Sequence, residues 1–357
     1  MPPRSRSKSK TAQAPSGLDT LKAQLREGQP GRLYLFHGEE VYLRDHYVNQ
    51  LKALLLPQGL EDFNLHTAQG KDCSVEWIQQ AVDCLPMMSQ RTLVLVTDFD
   101  LYGQGEKGRE ALAQLFSDLP DYCCLVFVYD LLAYKADGRS KLAAALKAHG
   151  LTVDFRRQEQ SDLLNWIARH FKATGHTIAG EDARYLTFLC GELMTNLASE
   201  IDKIAAYAPG ERVTRADIDA VAIPLMDAIV FQMTDAIARK NFNKAAAVLA
   251  DLLHSQESPI LILSVMGKYF RQLYTARLYL DRGKSRQDFM ALWNLKNPYP
   301  ADKLLDAARG FSLAWCRHAV LRCSQTDLQL KANYGQERET LTGLLMELAA
   351  GRRAIPC

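Results

Sequence analysis

The sequence predicts an α/β domain followed by two all-α domains, and three observations support this prediction. Up to Phe155, short apolar runs rich in β-branched residues alternate with amphipathic segments. After Phe155, apolar residues recur only at the spacing of amphipathic helices. The length of 357 residues exceeds one ordinary core and favours about two or three domains.

Five strands separated by single helices are predicted for the first domain, residues 17–157. Right-handed crossovers would then give a mostly parallel sheet covered on both faces. The apolar run at 93–96 is unbroken, so we expect the centre of the domain there. The predicted elements in chain order are helix 18–25, strand 32–37, helix 41–55, strand 63–67, helix 74–84, strand 93–96, helix 106–116, strand 124–128, helix 140–148 and strand 151–155.

Beyond Phe155 no further strand is predicted. Residues 158–223 form a predicted small helical domain, and residues 224–357 form a predicted helical bundle after the boundary at Pro224. Ser161 and Thr214 are expected to be helix N-caps. The predicted helices are 160–173, 180–190, 193–207, 214–221, 227–238, 243–254, 259–281, 285–293, 300–309, 312–332 and 337–350.

Composition limits the classes of function. Lys and Arg together number 43 against 41 for Asp and Glu, a formal net charge of +2, which gives no global case for a nucleic-acid or membrane binder. The cysteines are scattered without a Cys-x-x-Cys pair, which indicates a reducing, cytoplasmic location. No apolar run approaches the roughly 20 residues of a membrane span. Residues 1–16 are basic and rich in Ser and Pro, so we expect a disordered tail.

Gly38 ends the first predicted strand, where a phosphate-binding loop would lie. Such a loop reads Gly-x-x-x-x-Gly-Lys-Ser/Thr. Counted from Gly38, the second glycine is Leu43, the lysine is Arg44 and the hydroxyl residue is Asp45. Two glutamates also follow Gly38 directly and would repel a triphosphate. The sequence therefore predicts a plain strand-to-helix turn here, without ATP hydrolysis.

A second glycine pattern, GQGEKG at residues 103–108, matches the dinucleotide fingerprint Gly-x-Gly-x-x-Gly. An NAD-dependent oxidoreductase using this stretch is therefore an alternative. The fingerprint needs its first glycine almost directly after the strand, whereas residues 97–102 intervene, so a mobile loop is favoured. Asp98 and Asp100 are expected to cap the strand or face solvent. No complete catalytic arrangement is evident, so no cofactor or metal is predicted.

The helix-to-strand connection at residues 85–88 reads Leu-Pro-Met-Met. Methionine is unbranched and polarizable and suits a partner's hydrophobic pocket. Either at least one of Met87 and Met88 is an exposed contact residue, or one or both pack under the predicted helix 74–84; the first is our prediction, mainly on the resemblance described below.

Six basic residues surround the end of the long predicted helix 259–281. They form either a solvated face or a phosphate-contacting DNA surface, and the latter makes a DNA-binding adaptor a further alternative. These residues are Lys268, Arg271, Arg277, Arg282, Lys284 and Arg286.

Six segments carry a resemblance to a known family. They are FHGEEVYL at 36–43, LPMMSQRTLV at 85–94, LVFV at 125–128, LASEIDKI at 197–204, AIVFQMTDAI at 228–237 and SQTDLQLK at 324–331. In order and spacing, they resemble the delta subunit of the bacterial DNA polymerase III clamp loader.

This resemblance implies a degenerate AAA+-type domain that does not hydrolyse ATP, a small lid-like helical domain and a C-terminal collar that joins other loader subunits. It implies a subunit that opens the sliding clamp for loading onto primed DNA. The hydrophobic wedge for the clamp falls on Met87 and Met88, with Leu85 behind them, where bulky Phe or Leu is usual in the family. The resemblance also implies a subunit of a DNA-directed DNA polymerase (nucleotidyltransferase) holoenzyme without a catalytic site of its own.

Overall fold

The computed structural model describes residues 16–135, 137–239, 241–332 and 335–354. The chain divides into two compact units, Met1–Arg157 and Gln158–Cys357. The predicted basic tail lies outside the described residues except for Ser16, whose side chain accepts a hydrogen bond from the N–H of Asp19 and caps the first helix. The boundary predicted at Pro224 stays a prediction.

The first unit has one parallel sheet with helices on both faces, as predicted. Its elements are α1 (Gly17–Glu27), β1 (Leu33–His37), α2 (Val41–Leu55), α3 (Glu61–Asn64), β2 (Leu65–Gln69), α4 (Val75–Asp83), β3 (Thr92–Thr97), α5 (Glu106–Ser117), β4 (Cys123–Val128), α6 (Lys141–His149) and β5 (Leu151–Asp154). The strand order is β2-β3-β4-β1-β5. The middle strand is thus β4, with every residue buried, and the centre predicted at residues 93–96 is wrong by one strand.

Alternate residues of β1 show how the sheet joins two cores. Leu33 and Leu35 pack in the cluster that also includes residues of α4, α5 and α6. Tyr34 and Phe36 pack in the cluster under α1 and α2. This alternation follows from the two-residue period of a strand. Because both faces of the sheet are packed, the sheet is a rigid support for the loops at the amino and carboxyl ends of its strands.

Strand β2 begins later than predicted because a helical turn, α3, precedes it. The N–H of Gly59 donates to the Glu61 carboxylate, at 2.9 Å, and the Asn64 side chain donates to the Leu60 carbonyl, at 3.0 Å. These local bonds hold Phe63 in a helical turn, although its apolar side chain suggested the start of a strand. The turn brings Asn64 against the connection that precedes β3.

The second unit is almost entirely helical. Its helices are α7 (Gln160–Ala173), α8 (Gly180–Cys190), α9 (Met194–Tyr207), α10 (Arg215–Val221), α11 (Met226–Ala238), α12 (Phe242–His254), α13 (Pro259–Asp281), α14 (Arg286–Leu292), α15 (Pro298–Ala308), α16 (Leu313–Ala332) and α17 (Glu337–Ala354). Buried side chains from α11 to α17 form one continuous core. The predicted helices are confirmed, with ends that differ by a few residues.

Two expectations for the second unit are corrected. Strands β6 (Thr177–Ile178) and β7 (Arg212–Val213) form a small parallel pair, too short to show a periodic pattern in the sequence. Helix α7 has Glu159 rather than Ser161 at its N-cap. Thr214 does cap α10, in a capping box with Asp217.

Among the helices that the structure describes, none taken singly has the length and apolarity to cross a membrane. The pair Arg215–Val221 and Met226–Ala238, which is bent by 116°, meets that test only when its two helices are joined, and only by length and composition.

Candidate functional site

The connection between α4 and β3 carries an exposed apolar corner formed by Leu85, Met87 and Met88. Their side chains are 70%, 56% and 87% exposed. Both predicted methionines therefore face solvent. Leu85, which was expected behind them, is exposed as well, so the corner presents three apolar side chains. Clustered exposed apolar side chains are typical of protein interaction sites.

Asn64 fixes the backbone of this corner. Its Oδ1 atom accepts a hydrogen bond from the N–H of Met87, at 2.8 Å, and its Nδ2 atom donates to the Met87 carbonyl, at 2.9 Å. The Asn64 side chain is fully buried. A side-chain amide thereby pairs with both backbone groups of Met87, as a neighbouring strand would.

The residues after Met88 are held too. The Ser89 hydroxyl donates to the Arg91 carbonyl, at 3.0 Å, and the Arg91 guanidinium donates to the carbonyl of Pro30, at 3.0 Å. Met88 has a φ of 51°, in the left-handed region that non-glycine residues seldom adopt. Such a conformation persists where the surroundings determine it, and it often marks a functional position.

Sequence reasoning missed two residues beside the corner. Phe63 is 54% exposed and Asn64 is buried, and both lie in α3. Asn64 is 23 positions from Met87 in the chain, and no periodic pattern connects the two residues. Only the fold brings α3 against the corner.

The loop after β1, at the carboxyl ends of the strands and thus opposite the corner, packs against Phe155, which directly follows β5. Gly38 has a φ of 125°, and a Cβ atom added there would lie 2.4 Å from the Phe155 carbonyl oxygen. The N–H of Glu40 donates to that same carbonyl, at 2.9 Å. In a phosphate-binding loop the backbone N–H groups face the phosphates. Here the chain's own carbonyl takes one of them.

Arg44 occupies the position of the phosphate-loop lysine and is buried. One guanidinium nitrogen lies 2.7 Å from Oδ1 of Asp130, and Nε lies 3.1 Å from Oδ1 of Asp45. The guanidinium also donates to the Tyr129 carbonyl, at 3.3 Å. The cation thus bridges α2 and the end of β4.

Asp98 caps the loop that follows β4. Its Oδ1 atom accepts hydrogen bonds from the N–H groups of Asp130, Leu131 and Leu132, at 2.8–3.0 Å. Burial alone would raise the pKa of Asp98, but the hydrogen bonds from these three N–H groups outweigh it and lower the pKa. Of the two roles expected for Asp98, capping is the one that the structure shows, and it serves the loop after β4 rather than the end of its own strand.

The glycine pattern at 103–108 is likewise explained by local structure. Asp100 accepts hydrogen bonds from the N–H groups of Tyr102 and Gly103, at 3.2 and 2.9 Å. Gly108 lies within α5, where a Cβ atom would come within 3.5 Å of Val75. The first glycine thus forms a turn with Asp100, and a Cβ atom at the third would make only an ordinary contact with α4. In the described part of the chain, no group of three or more His, Cys, Asp or Glu residues could hold a metal ion.

The predicted basic residues of the bundle are not one cluster of free charges. Lys268 pairs with Asp227 at 3.2 Å, Arg277 pairs with Asp281, and Arg286 donates twice to Asp302, at 3.0 Å each. Lys268 also lies mid-helix in α13 rather than at its end. The remaining three, all exposed, are Arg271, Arg282 and Lys284.

Family models match both units. One described as "DNA polymerase III, delta subunit" matches residues 34–156, and one described as "DNA polymerase III delta subunit, C-terminal domain" matches residues 227–348. The first match contains the exposed corner, the loop at Gly38 and Asp98.

Similar proteins span nearly the whole chain. This chain is 24% identical over 331 residues to DNA polymerase III subunit delta of Bacillus subtilis. The match covers 91% of this chain and 94% of that protein. The chain is 22% identical over 323 residues to DNA polymerase III subunit delta of Escherichia coli, covering 89% and 91%. The solved Bacillus subtilis DNA clamp loader delta protein matches with a TM-score of 0.54 at 22% identity, covering 93% of this chain and 99% of that one. The predicted fold class is confirmed by this match.

Proposed function

Because the chain belongs to the DNA polymerase III delta subunit family, we propose that it is the clamp-loader subunit that binds the sliding clamp and opens it for loading onto primed DNA. The observation that carries this proposal is the exposed corner, with Leu85, Met87 and Met88 on a rigid support. Fully burying one such side chain contributes about 1.5–3 kcal/mol. A corner that is already ordered loses little entropy on binding.

Opening follows from differential affinity. A closed and an open ring are two states of the clamp, and a partner shifts their equilibrium only as far as it binds one state better than the other. The corner would enter an apolar pocket near a subunit interface of the clamp and fit the open ring better. Apolar contact supplies affinity, and rigidity prevents the corner from adapting equally well to the closed ring.

We propose that the chain hydrolyses no ATP itself and that ATP-binding sister subunits control when the corner is available. The occupied loop after β1 supports this proposal, because Arg44 is paired with Asp130 and the N–H of Glu40 is bonded to Phe155. NAD binding gains no support at residues 103–108, since the N–H of Gly103 is already bonded to the Asp100 carboxylate within the chain's own turn.

The C-terminal bundle is the proposed contact with the sister subunits. Leu321 and Leu328 are exposed on α16, and their seven-residue spacing puts them on one helix face. Primed DNA is a proposed partner within the assembled loader, where Arg271, Arg282 and Lys284 are the exposed members of the basic set. A cytoplasmic location and the absence of a membrane partner fit a replication subunit.

The test is a pull-down of the clamp from the same organism with the double variant Met87→Ala, Met88→Ala. We expect clamp binding to be lost, because both apolar side chains are removed. The matched control is Met346→Ala, since Met346 is 67% exposed but lies in the second unit, and this variant should bind as the wild type does. Circular dichroism should show the same helical signal for all three proteins. Undiminished binding by the double variant would refute the proposal.

A further inference from the structure

We propose that the clamp-binding surface is built from two chain segments. In this proposal, Asn64 is the residue that positions Met87 and Met88, and Phe63 adds a further apolar contact. This inference rests on the function proposed for the corner, and it extends that surface to the helical turn α3.

The hydrogen bonds of Asn64 suit a positioning role. Its amide has two donor hydrogens and one oxygen acceptor. The donors serve the carbonyls of Leu60 and Met87, and the oxygen accepts from the N–H of Met87. The side chain is fully buried, so an Ala at this position would offer the Met87 backbone no polar group in place of the lost bonds. Substitution of Asn64 therefore leaves backbone groups of Met87 unsatisfied and releases the corner.

The backbone at Met88 explains why such a residue is needed. Its φ of 51° is unfavourable for a side chain other than glycine, asparagine or aspartate. Asn64 holds Met87, the residue before it, and Ser89, the residue after it, accepts a hydrogen bond from the N–H of Arg91. Without Asn64, Met88 would relax toward an ordinary backbone conformation, and its side chain would point elsewhere.

Phe63 extends the surface next to the hydrogen bonds between Asn64 and Met87. It precedes Asn64 directly and is more than half exposed, so its ring lies on the same turn that contacts the corner. Glu61 and Asp62 in this turn are exposed too. An apolar patch with acidic neighbours fits an apolar pocket bordered by Lys or Arg, which is the chemistry that we infer for the clamp site.

The experiment measures clamp affinity for four single variants of the full chain. Asn64→Ala should weaken binding about tenfold or more, and Phe63→Ala should weaken it about threefold to tenfold. Asn64→Asp keeps the acceptor for the Met87 N–H but sets a buried carboxylate oxygen against the carbonyls of Met87 and Leu60, so it should weaken binding at least as much as Asn64→Ala. The matched control is Asn297→Ala. Asn297 is also a buried asparagine whose side chain donates to a backbone carbonyl, that of Arg184, but it lies in the second unit. This control should lower the unfolding temperature and leave clamp affinity within about twofold.

Two readouts separate positioning from general loss of stability. Hydrogen exchange at the N–H of Met87 should accelerate in Asn64→Ala while the strands of the sheet stay protected. In a single Met88→Ala background, where we expect measurable clamp binding to remain, Asn64→Asp should change clamp affinity less than it does in the wild type, because it acts through that methionine.

The outcomes distinguish this inference from the proposed function. If the double methionine variant loses clamp binding while Asn64→Asp and Phe63→Ala bind normally, the two-segment surface is wrong and the proposed function stands. If neither the methionine nor the α3 variants change clamp affinity, the proposed function itself fails. If neither Asn64 variant folds, the exposed substitution Phe63→Ala still decides the matter.

Discussion

The parallel sheet in the first unit has a carboxyl edge, where its strands end, and an amino edge, where its strands begin. These two edges differ in what they offer to a partner. At the carboxyl edge, where open α/β sheets usually bind ligands, Arg44 is paired with Asp130 and Asp98 accepts three backbone hydrogen bonds. At the amino edge, before β3, Met87 and Met88 are exposed. The edge suited to a nucleotide is occupied by the chain itself, and the opposite edge is left apolar and open.

This difference supports the proposal that the fold acts as a support rather than as a nucleotide site. Ion pairs and capping bonds at the carboxyl edge hold the strand ends in place. A rigid sheet then carries the corner at its other edge, about 20 Å away along a six-residue strand. The two edges should therefore respond independently to substitution, and each of the following predictions tests that independence.

Substitution of Arg44 should have the largest effect on stability. Arg44→Leu removes the ion pair between α2 and Asp130. It also leaves the Tyr129 carbonyl without the hydrogen bond that the guanidinium donates. We expect the free energy of unfolding of the first unit to fall by about 2 kcal/mol, less than for a fully buried pair because Asp130 is partly exposed. Urea denaturation measures this loss. Clamp affinity should stay within about twofold of the wild type.

Arg44→Lys is the matched control, since it restores the lysine of a phosphate loop. A point charge cannot reach Asp45 and Asp130 together as the guanidinium does, so we expect an intermediate loss of stability. Equilibrium dialysis should detect no strong ATP binding, because Leu43 and Asp45 remain at the other positions of the loop pattern. If the Arg44→Lys variant bound ATP tightly, the carboxyl edge would still be a functional phosphate-binding site.

Asp98→Asn should have a smaller effect, with a defined pH dependence. We expect a loss of about 1 kcal/mol near neutral pH, because a neutral amide oxygen is a weaker acceptor than a carboxylate. The pKa of Asp98 is lower in the folded protein, so its contribution is present above the unfolded pKa and is lost as pH falls through the folded value. The difference from the wild type should thus be constant above about pH 5 and shrink below about pH 4. Urea titrations at several pH values measure it, and a difference that grows in acid would contradict the assignment.

The sequence was sufficient to predict the longer helices and the five strands of the main sheet, because their periodic apolar patterns are local, but not the helical turn α3 or the pair β6 and β7. It could not predict the strand order, since β3 and β4 have similar apolar runs and the pattern does not say which lies in the middle. The pair β6 and β7 has two residues in each strand, too few for any pattern to appear.

Prediction of the candidate site was limited in the same way. Met87 and Met88 could be identified from their residue type and their position after Pro86, together with the family resemblance. The role of Asn64 depends on contacts across 23 positions, which are made only once β2 and β3 have paired. The sequence alone predicted that the loop after β1 lacks the phosphate-binding pattern. The ion pair between Arg44 and Asp130 could not be predicted, because the two residues meet only in the folded sheet.

Gly103→Ala should have the smallest effect and tests the dinucleotide alternative at the carboxyl edge. An added Cβ atom would lie 2.3 Å from the Asp100 carboxylate, but that group ends a flexible side chain and can rotate away. We therefore expect a loss of at most about 1 kcal/mol, from weakened bonds to the N–H groups of Tyr102 and Gly103. Clamp affinity should not change, since the substitution lies far from the corner. If residues 103–108 bound NAD, the wild type would retain NAD in equilibrium dialysis and this variant would retain less. Equal and negligible NAD retention by both proteins would leave the turn with Asp100 as the role of Gly103, and the amino edge as the proposed interaction surface of this sheet.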